Sequence, residues 1–310
     1  MLSFSVPGSG RPFAFPALDD CVLRYSLLVI SCFVSCAAVS AHSDQRPNII
    51  LIMTDDQGYG DFGFTGNPVI QTPSLDDLAS SSLQVPNFYV CPVCAPTRAC
   101  LLTGRYNYRT GVVDTYQGRA MMHPDELTIA ELLSAEGYAT GIFGKWHLGD
   151  NHPLRPMDQG FRRSVVHRGG GIGQSSDPLE AERKYTDPVL MVDGVSQSFK
   201  GFCTDIYYQQ ATEFIRKCTE NDEPFFVYLP DNCPHDPFHD VPEKWYQRYR
   251  DLDLSNQAIP NSDDNPLPAR TNVDRRARIF AMISNIDENI GKLQKSLAEL
   301  ASRSKHSSRI

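Results

Sequence analysis

The chain has 310 residues, 41% hydrophobic and 21% charged, with a formal net charge of −8. That is the composition of a folded globular protein, long enough for one large α/β domain or two small ones. An acidic balance without a basic patch excludes a general nucleic-acid binder, and 22 prolines with 21 glycines point to many loops.

In chain order, residues 1–41 read as a secretion signal. Arg24 precedes the apolar run 27–39, and Val39-Ser40-Ala41 is a small-residue cleavage site. The run is too short to cross a membrane comfortably. Val29-Ile30-Ser31-Cys32 also resembles a lipoprotein processing box, which ranks below ordinary cleavage. The mature chain is therefore expected to be exported, periplasmic or secreted. Cys21, Cys32 and Cys36 fall in the leader. Setting these and Cys94 aside leaves an odd number, so no complete disulfide framework is implied, and pairing among Cys203, Cys218 and Cys233 stays open.

Residues 47–54 (PNIILIMT) form a continuous apolar run of the length of a buried parallel strand. It closes on Asp55-Asp56-Gln57-Gly58. Thr72 is the expected N-cap of a helix with Pro73 in its first position, running to about Ser81. Residues 87–90 are expected to be a short strand leading into 94–105, CAPTRACLLTGR. There Pro96 suits a first helical turn, 97–103 reads as a short helix, and Gly104 stops it. Cys94 then precedes a helix N-terminus, where free N–H groups and the dipole favour an anion. Cys91 and Cys100 read as small buried hydrophobes.

A helix is expected over 125–136, with Ile129, Leu132 and Leu133 on one face and Gly137 closing it. Residues 139–146 are a second buried strand, continuing into Lys145-Trp146-His147-Leu148-Gly149. Residues 151–200 look loop-rich around Gly169-Gly170-Gly171. A helix over 205–218 leads to a third buried strand, 224–229, followed by Pro234-His235-Asp236-Pro237. The last element, 274–300, is helical, with Ile279, Met282, Ile283, Ile286, Ile290 and Leu293 on one face. The strand–helix alternation gives an α/β fold with a mostly parallel sheet.

Three strand ends carry reactive groups, and open α/β sheets place their sites at strand ends. The Asp55-Asp56 pair suits a hard cation such as Ca²⁺ or, second, Mg²⁺; the plainer reading is a pair of loop caps. Lys145 and His147 lie two apart, so an extended segment puts them on one face, a cation for an anionic oxygen beside an imidazole that moves protons. His235 sits in a rigid Pro-boxed turn. His152, His167 and His239 read as surface or loop residues.

The stretch 94–105, with Pro96 and Arg98 after Cys94 and Leu102-Thr103-Gly104-Arg105 closing it, resembles the signature of the type I sulfatases. PNIILIMTDDQGYGD, GKWHLG and PHDPF resemble further segments of that family, over roughly residues 46–300. The resemblance implies an alkaline-phosphatase-like α/β/α fold that hydrolyses sulfate monoesters, whether sulfated glycan or aryl sulfate. It implies Cys94 as the precursor of a Cα-formylglycine nucleophile, made by a formylglycine-generating enzyme. It also implies Asp55, Asp56 and the modified Cys94 as Ca²⁺ ligands, Arg98 and Lys145 as cations, and His147 and His235 as proton carriers. Family members continue past the long helix into a strand ending in Asp-Asn, whereas the tail 301–310 here is polar and basic. The expectation is thus an incomplete N-terminal catalytic domain. A non-catalytic remnant and a phosphate or phosphonate monoester hydrolase of the same superfamily are the alternatives.

Overall fold

The computed structural model describes residues 46–116, 118–255 and 272–307; the expected leader, 1–41, lies outside them. Six strands make one sheet: β1 (Ile49–Met53), β2 (Ala139–Lys145), β3 (Arg163–His167), β4 (Val189–Val192), β5 (Val195–Ser198) and β6 (Phe225–Pro230). Their spatial order is β1-β6-β2-β3-β4-β5. The first four in that order run parallel, and β4 and β5 add an antiparallel margin. The helices are α1 (Pro73–Ser80), α2 (Cys94–Thr103), α3 (Asn107–Thr110), α4 (Ile129–Ala135), α5 (Cys203–Glu220), α6 (Glu243–Tyr249) and α7 (Val273–Ser307).

Strands β2 and β6 are buried along their whole length because helices cover both faces. Alternate residues serve the two sides, as the pleat requires. Phe225, Val227 and Leu229 join Phe143 and the apolar faces of α5 and α7. Phe226 and Tyr228 join Ile142, Trp146 and the residues Ala95, Ala99 and Leu102 of α2. Helix α7 is apolar on two sides. Met282, Ile286, Ile290 and Leu293 meet the sheet layer, while Phe280, Ala281 and Ile283 pack with Tyr249 of α6.

The structure departs from the sequence expectations at several places. Residues 87–90 form no strand; Phe88, Tyr89 and Val90 are exposed, and among the described residues no strand pairs with their backbone. Helix α2 begins at Cys94 itself, with Val93 as N-cap. Helix α4 begins only at Ile129, because Thr128 and Glu131 close a capping box there, and Leu132 faces solvent. Thr72 occupies the N-cap position of α1 without capping it. Its hydroxyl accepts from the Gly63 N–H at 2.8 Å, and Asp287 of α7 accepts instead from the N–H groups of Ser74 and Leu75, at 3.2 and 2.7 Å.

The stretch read as loop contains β3, β4 and β5, and the turn between β4 and β5 is Asp193-Gly194 with both residues at positive φ. Such a dipeptide is a hairpin signal. His167 is not a surface residue but fully buried at the end of β3, whereas His152 and His239 are exposed. Cys91 and Cys100 are half-buried, with their sulfurs 3.8 Å apart. Among the described residues no helix is long and apolar enough to cross a membrane.

Candidate active site

The carboxyl ends of β1 and β2, together with helix α2, bring three polar groups to one place. Asp55 follows β1 and is 4% exposed; its N–H donates to the Cys233 carbonyl at 3.1 Å, tying it to the segment after β6. Lys145, the last residue of β2, is fully buried and donates from Nζ to Asp55 Oδ2. Arg98 comes up from α2. Its Nη2 stands 3.5 Å from the same carboxylate oxygen, and its Nη1 donates to the Lys145 carbonyl at 2.9 Å. Burial alone would raise the Asp55 pKa, but the Arg98 and Lys145 cations outweigh it and hold the carboxyl below its usual range.

One carboxylate therefore faces two buried cations. The surplus positive charge, in a dry setting where such charge is weakly screened, makes the place attractive to an anion. Arg98 Nε is also a buried donor without a partner among the described residues.

Cys94 opens α2, half-buried, and its Sγ lies 3.4 Å from His147 Nδ1. The other ring nitrogen, Nε2, is 3.2 Å from the Thr115 carbonyl. A carbonyl only accepts, so the proton sits on Nε2 and the Nδ1 lone pair points at Cys94. Burial, then the Lys145 and Arg98 charges, push the His147 pKa down to about 3, which leaves a neutral imidazole at ordinary pH. The expected strand alternation is not what sets His147 beside Lys145. The strand ends at Lys145, and His147 turns at φ 60, its N–H donating to the Arg168 carbonyl at 3.0 Å. Gly170 makes room for the ring: a Cβ there would stand 2.9 Å from His147 Cε1.

Asp56 and His235 form the exposed rim. His235 Nε2 is 3.9 Å from Asp56 Oδ2, and its Nδ1 donates to the Asp236 carbonyl at 2.7 Å. Asp55 and Asp56 offer the hard oxygens that suit Ca²⁺, and the cation-held Asp55 is ionised. Among the described residues no three His, Cys, Asp or Glu side chains gather into a cage for a metal ion.

The sequence reading missed several residues around this group. Asp231, directly after β6, is buried, with Oδ1 accepting from Thr204 Oγ1 at 3.0 Å and from the Cys233 N–H at 2.9 Å. The strand-end rule that singled out Asp55 applies to it equally. Thr115, Gly170 and the cleft they line beside His147 carry no motif, since chain reversals far apart in sequence bring them in.

The sulfatase family model matches residues 47–305. The chain belongs to the sulfatase family. It is 46% identical to human arylsulfatase A, over 62% of this chain and 42% of that one. It is 30% identical to an arylsulfatase of Klebsiella aerogenes, over 84% of this chain and 65% of its relative. The crystal structure of Ps i-CgsB superposes with a TM-score of 0.67 at 30% identity, covering 83% of this sulfatase and 56% of that chain. The chain thus spans 42% of the length of one of these two arylsulfatases and 65% of the other. The mostly parallel sheet is the one the family resemblance implied.

Proposed function

We propose that this protein hydrolyses sulfate monoesters with a nucleophile made from Cys94. The observation that carries the reading is the placement of Cys94 against the lone pair of a neutral His147, beside two cations that share a single carboxylate. A sulfate ester is an anion whose charge moves from sulfate oxygens to the leaving oxygen as the bond breaks. Lys145 and Arg98 stand where they would hold those oxygens and stabilise that charge.

Asp55 and Asp56 would hold Ca²⁺, and oxidation of Cys94 by a formylglycine-generating enzyme would provide the aldehyde hydrate; together they would supply an activated hydroxyl at low pKa. His147 Nδ1 is the base facing position 94. His235, on the rim, would as an imidazolium hand a proton to the departing alcohol. Export through the leader 1–41 belongs to the same reading, supported by the apolar run 27–39 and the small residues at 39–41.

The test is maturation followed by turnover. After co-expression with a formylglycine-generating enzyme, the peptide containing Cys94 should lose about 18 Da, the change from thiol to aldehyde. A chromogenic aryl sulfate should be hydrolysed in preference to the matching phosphate, and Cys94→Ala should abolish that hydrolysis. An unmodified thiol, or turnover that survives Cys94→Ala, would overturn the reading.

A further inference from the structure

A cleft of about 520 Å³ opens beside His147, within the size range of small-ligand sites. Its wall is polar and apolar in about equal parts. Gln174 and Ser176 offer an amide and a hydroxyl, Tyr116 offers a half-exposed aromatic face, and Arg183 offers a guanidinium. These are the groups that suit a sugar: hydrogen-bond partners for ring hydroxyls, and an aromatic face for the C–H side of the ring.

Arg183 has a particular setting. Its neighbours Glu182 and Lys184 pair with each other at 2.7 Å, and among the described residues no carboxylate is paired with Arg183. Asp150, the one carboxyl among the lining residues, lies in the field of Arg168. The backbone under Arg183 is fixed from both sides. Upstream, Gly173 packs so closely that a Cβ there would stand 2.5 Å from the Glu182 carbonyl and 2.8 Å from the Arg183 nitrogen. Gly173 is itself held, its N–H donating to Asp177 Oδ2 at 2.9 Å, while Asp177 Oδ1 takes the Arg168 N–H at 2.7 Å. Downstream, the Tyr185 N–H donates to Asp240 Oδ2 at 2.6 Å. A guanidinium is thus presented from an anchored base into the cleft that begins at the proton-accepting histidine.

We propose that Arg183 forms a subsite for a second anionic group, carboxylate or sulfate, on the sugar whose sulfate ester reaches Cys94. The substrate class is then a polyanionic sulfated saccharide, and a simple aryl sulfate leaves this subsite unused. The proposal rests on the sulfatase reading for the position of the ester, but not for the binding of the second anion.

Calorimetry on the full chain separates the two. In a Cys94→Ala background, which keeps the ligand intact, the protein is titrated with a sulfated disaccharide bearing a uronate carboxylate and with its carboxyl-reduced counterpart. The carboxylate form should bind at least about tenfold tighter, the scale of one charge-assisted contact. Arg183→Gln should erase the ratio between the two ligands, and Arg183→Lys should restore part of it. Because Arg183 is exposed, unchanged melting temperatures will show that the variants fold. Equal binding of the two ligands, no binding of either, or a ratio that survives Arg183→Gln would overturn the subsite. A preference that holds while sulfate esters are not hydrolysed would sink the sulfatase reading and leave the subsite standing.

Discussion

Asp55 and Asp231 follow neighbouring parallel strands, and their environments push them in opposite directions. Asp55 has two cations within reach and stays ionised. For Asp231 burial dominates and pushes its pKa up to about 7, and its Oδ2 has no hydrogen-bond partner among the described residues. The unfolded chain gives up this proton near about pH 4. Between there and neutrality the folded state binds more protons, so stability falls as pH rises, by up to about 1.4 kcal/mol per pH unit, and levels off above the folded pKa. Asp231→Asn keeps the Oδ1 acceptor and removes the charge. In urea denaturation the variant's gain over the parent should be small at pH 4, grow towards pH 7 and then stay flat. A gain independent of pH would refute this account. His147 is the converse case, since its depressed pKa keeps it an acceptor for Cys94 without any change of charge near neutrality.

At the scale of elements, Gly144 in β2 lies tight against the end of β6. Its φ is 141°, and a Cβ there would stand 2.1 Å from the Pro230 carbonyl oxygen at the end of β6. No side chain fits, and the obstacle is backbone, which cannot swing aside. Gly144→Ala must part β2 from β6 next to Lys145. The expected loss is about 3 kcal/mol or more, read as a lowered denaturation midpoint, together with loss of any sulfate hydrolysis. A stability change under about 0.5 kcal/mol would contradict the packing argument. Helix α2 shows a related economy. By starting at Cys94 it places that cysteine on the first turn and carries Arg98, one turn on, into the core.

For the whole molecule the informative feature is asymmetry across the sheet. Strands β2 and β6 are buried throughout, whereas every residue of β1 is only partly buried. Among the described residues β1 pairs with β6 alone, so one of its edges has no ladder partner. Parallel strands normally lie inside a sheet, and an edge offers its amides to water. Hydrogen exchange followed by mass spectrometry should show β1 exchanging at least about 100-fold faster than β6. Equal protection would show that the β1 edge is covered in solution. Asp55 and Asp56 follow directly on this edge strand.

The sequence alone determined the parallel α/β class, because long apolar runs that alternate with helical periods leave little other choice. It also singled out three strand ends as candidates, since Asp55, Lys145 and His235 each close or follow such a run. The dense motif from Cys94 to Arg105 fixed the family for the same local reason: its residue types and spacing sit within one short stretch. Only the tertiary structure decided the rest. It showed that residues 87–90 form no strand, that Asp287 rather than Thr72 caps α1, and that His147 reaches Cys94 through a left-handed turn. It also brought Thr115, Gly170 and Arg183 to the cleft beside His147. Those outcomes depend on contacts between segments far apart in the chain, and on charges whose neighbours exist only once the sheet has formed.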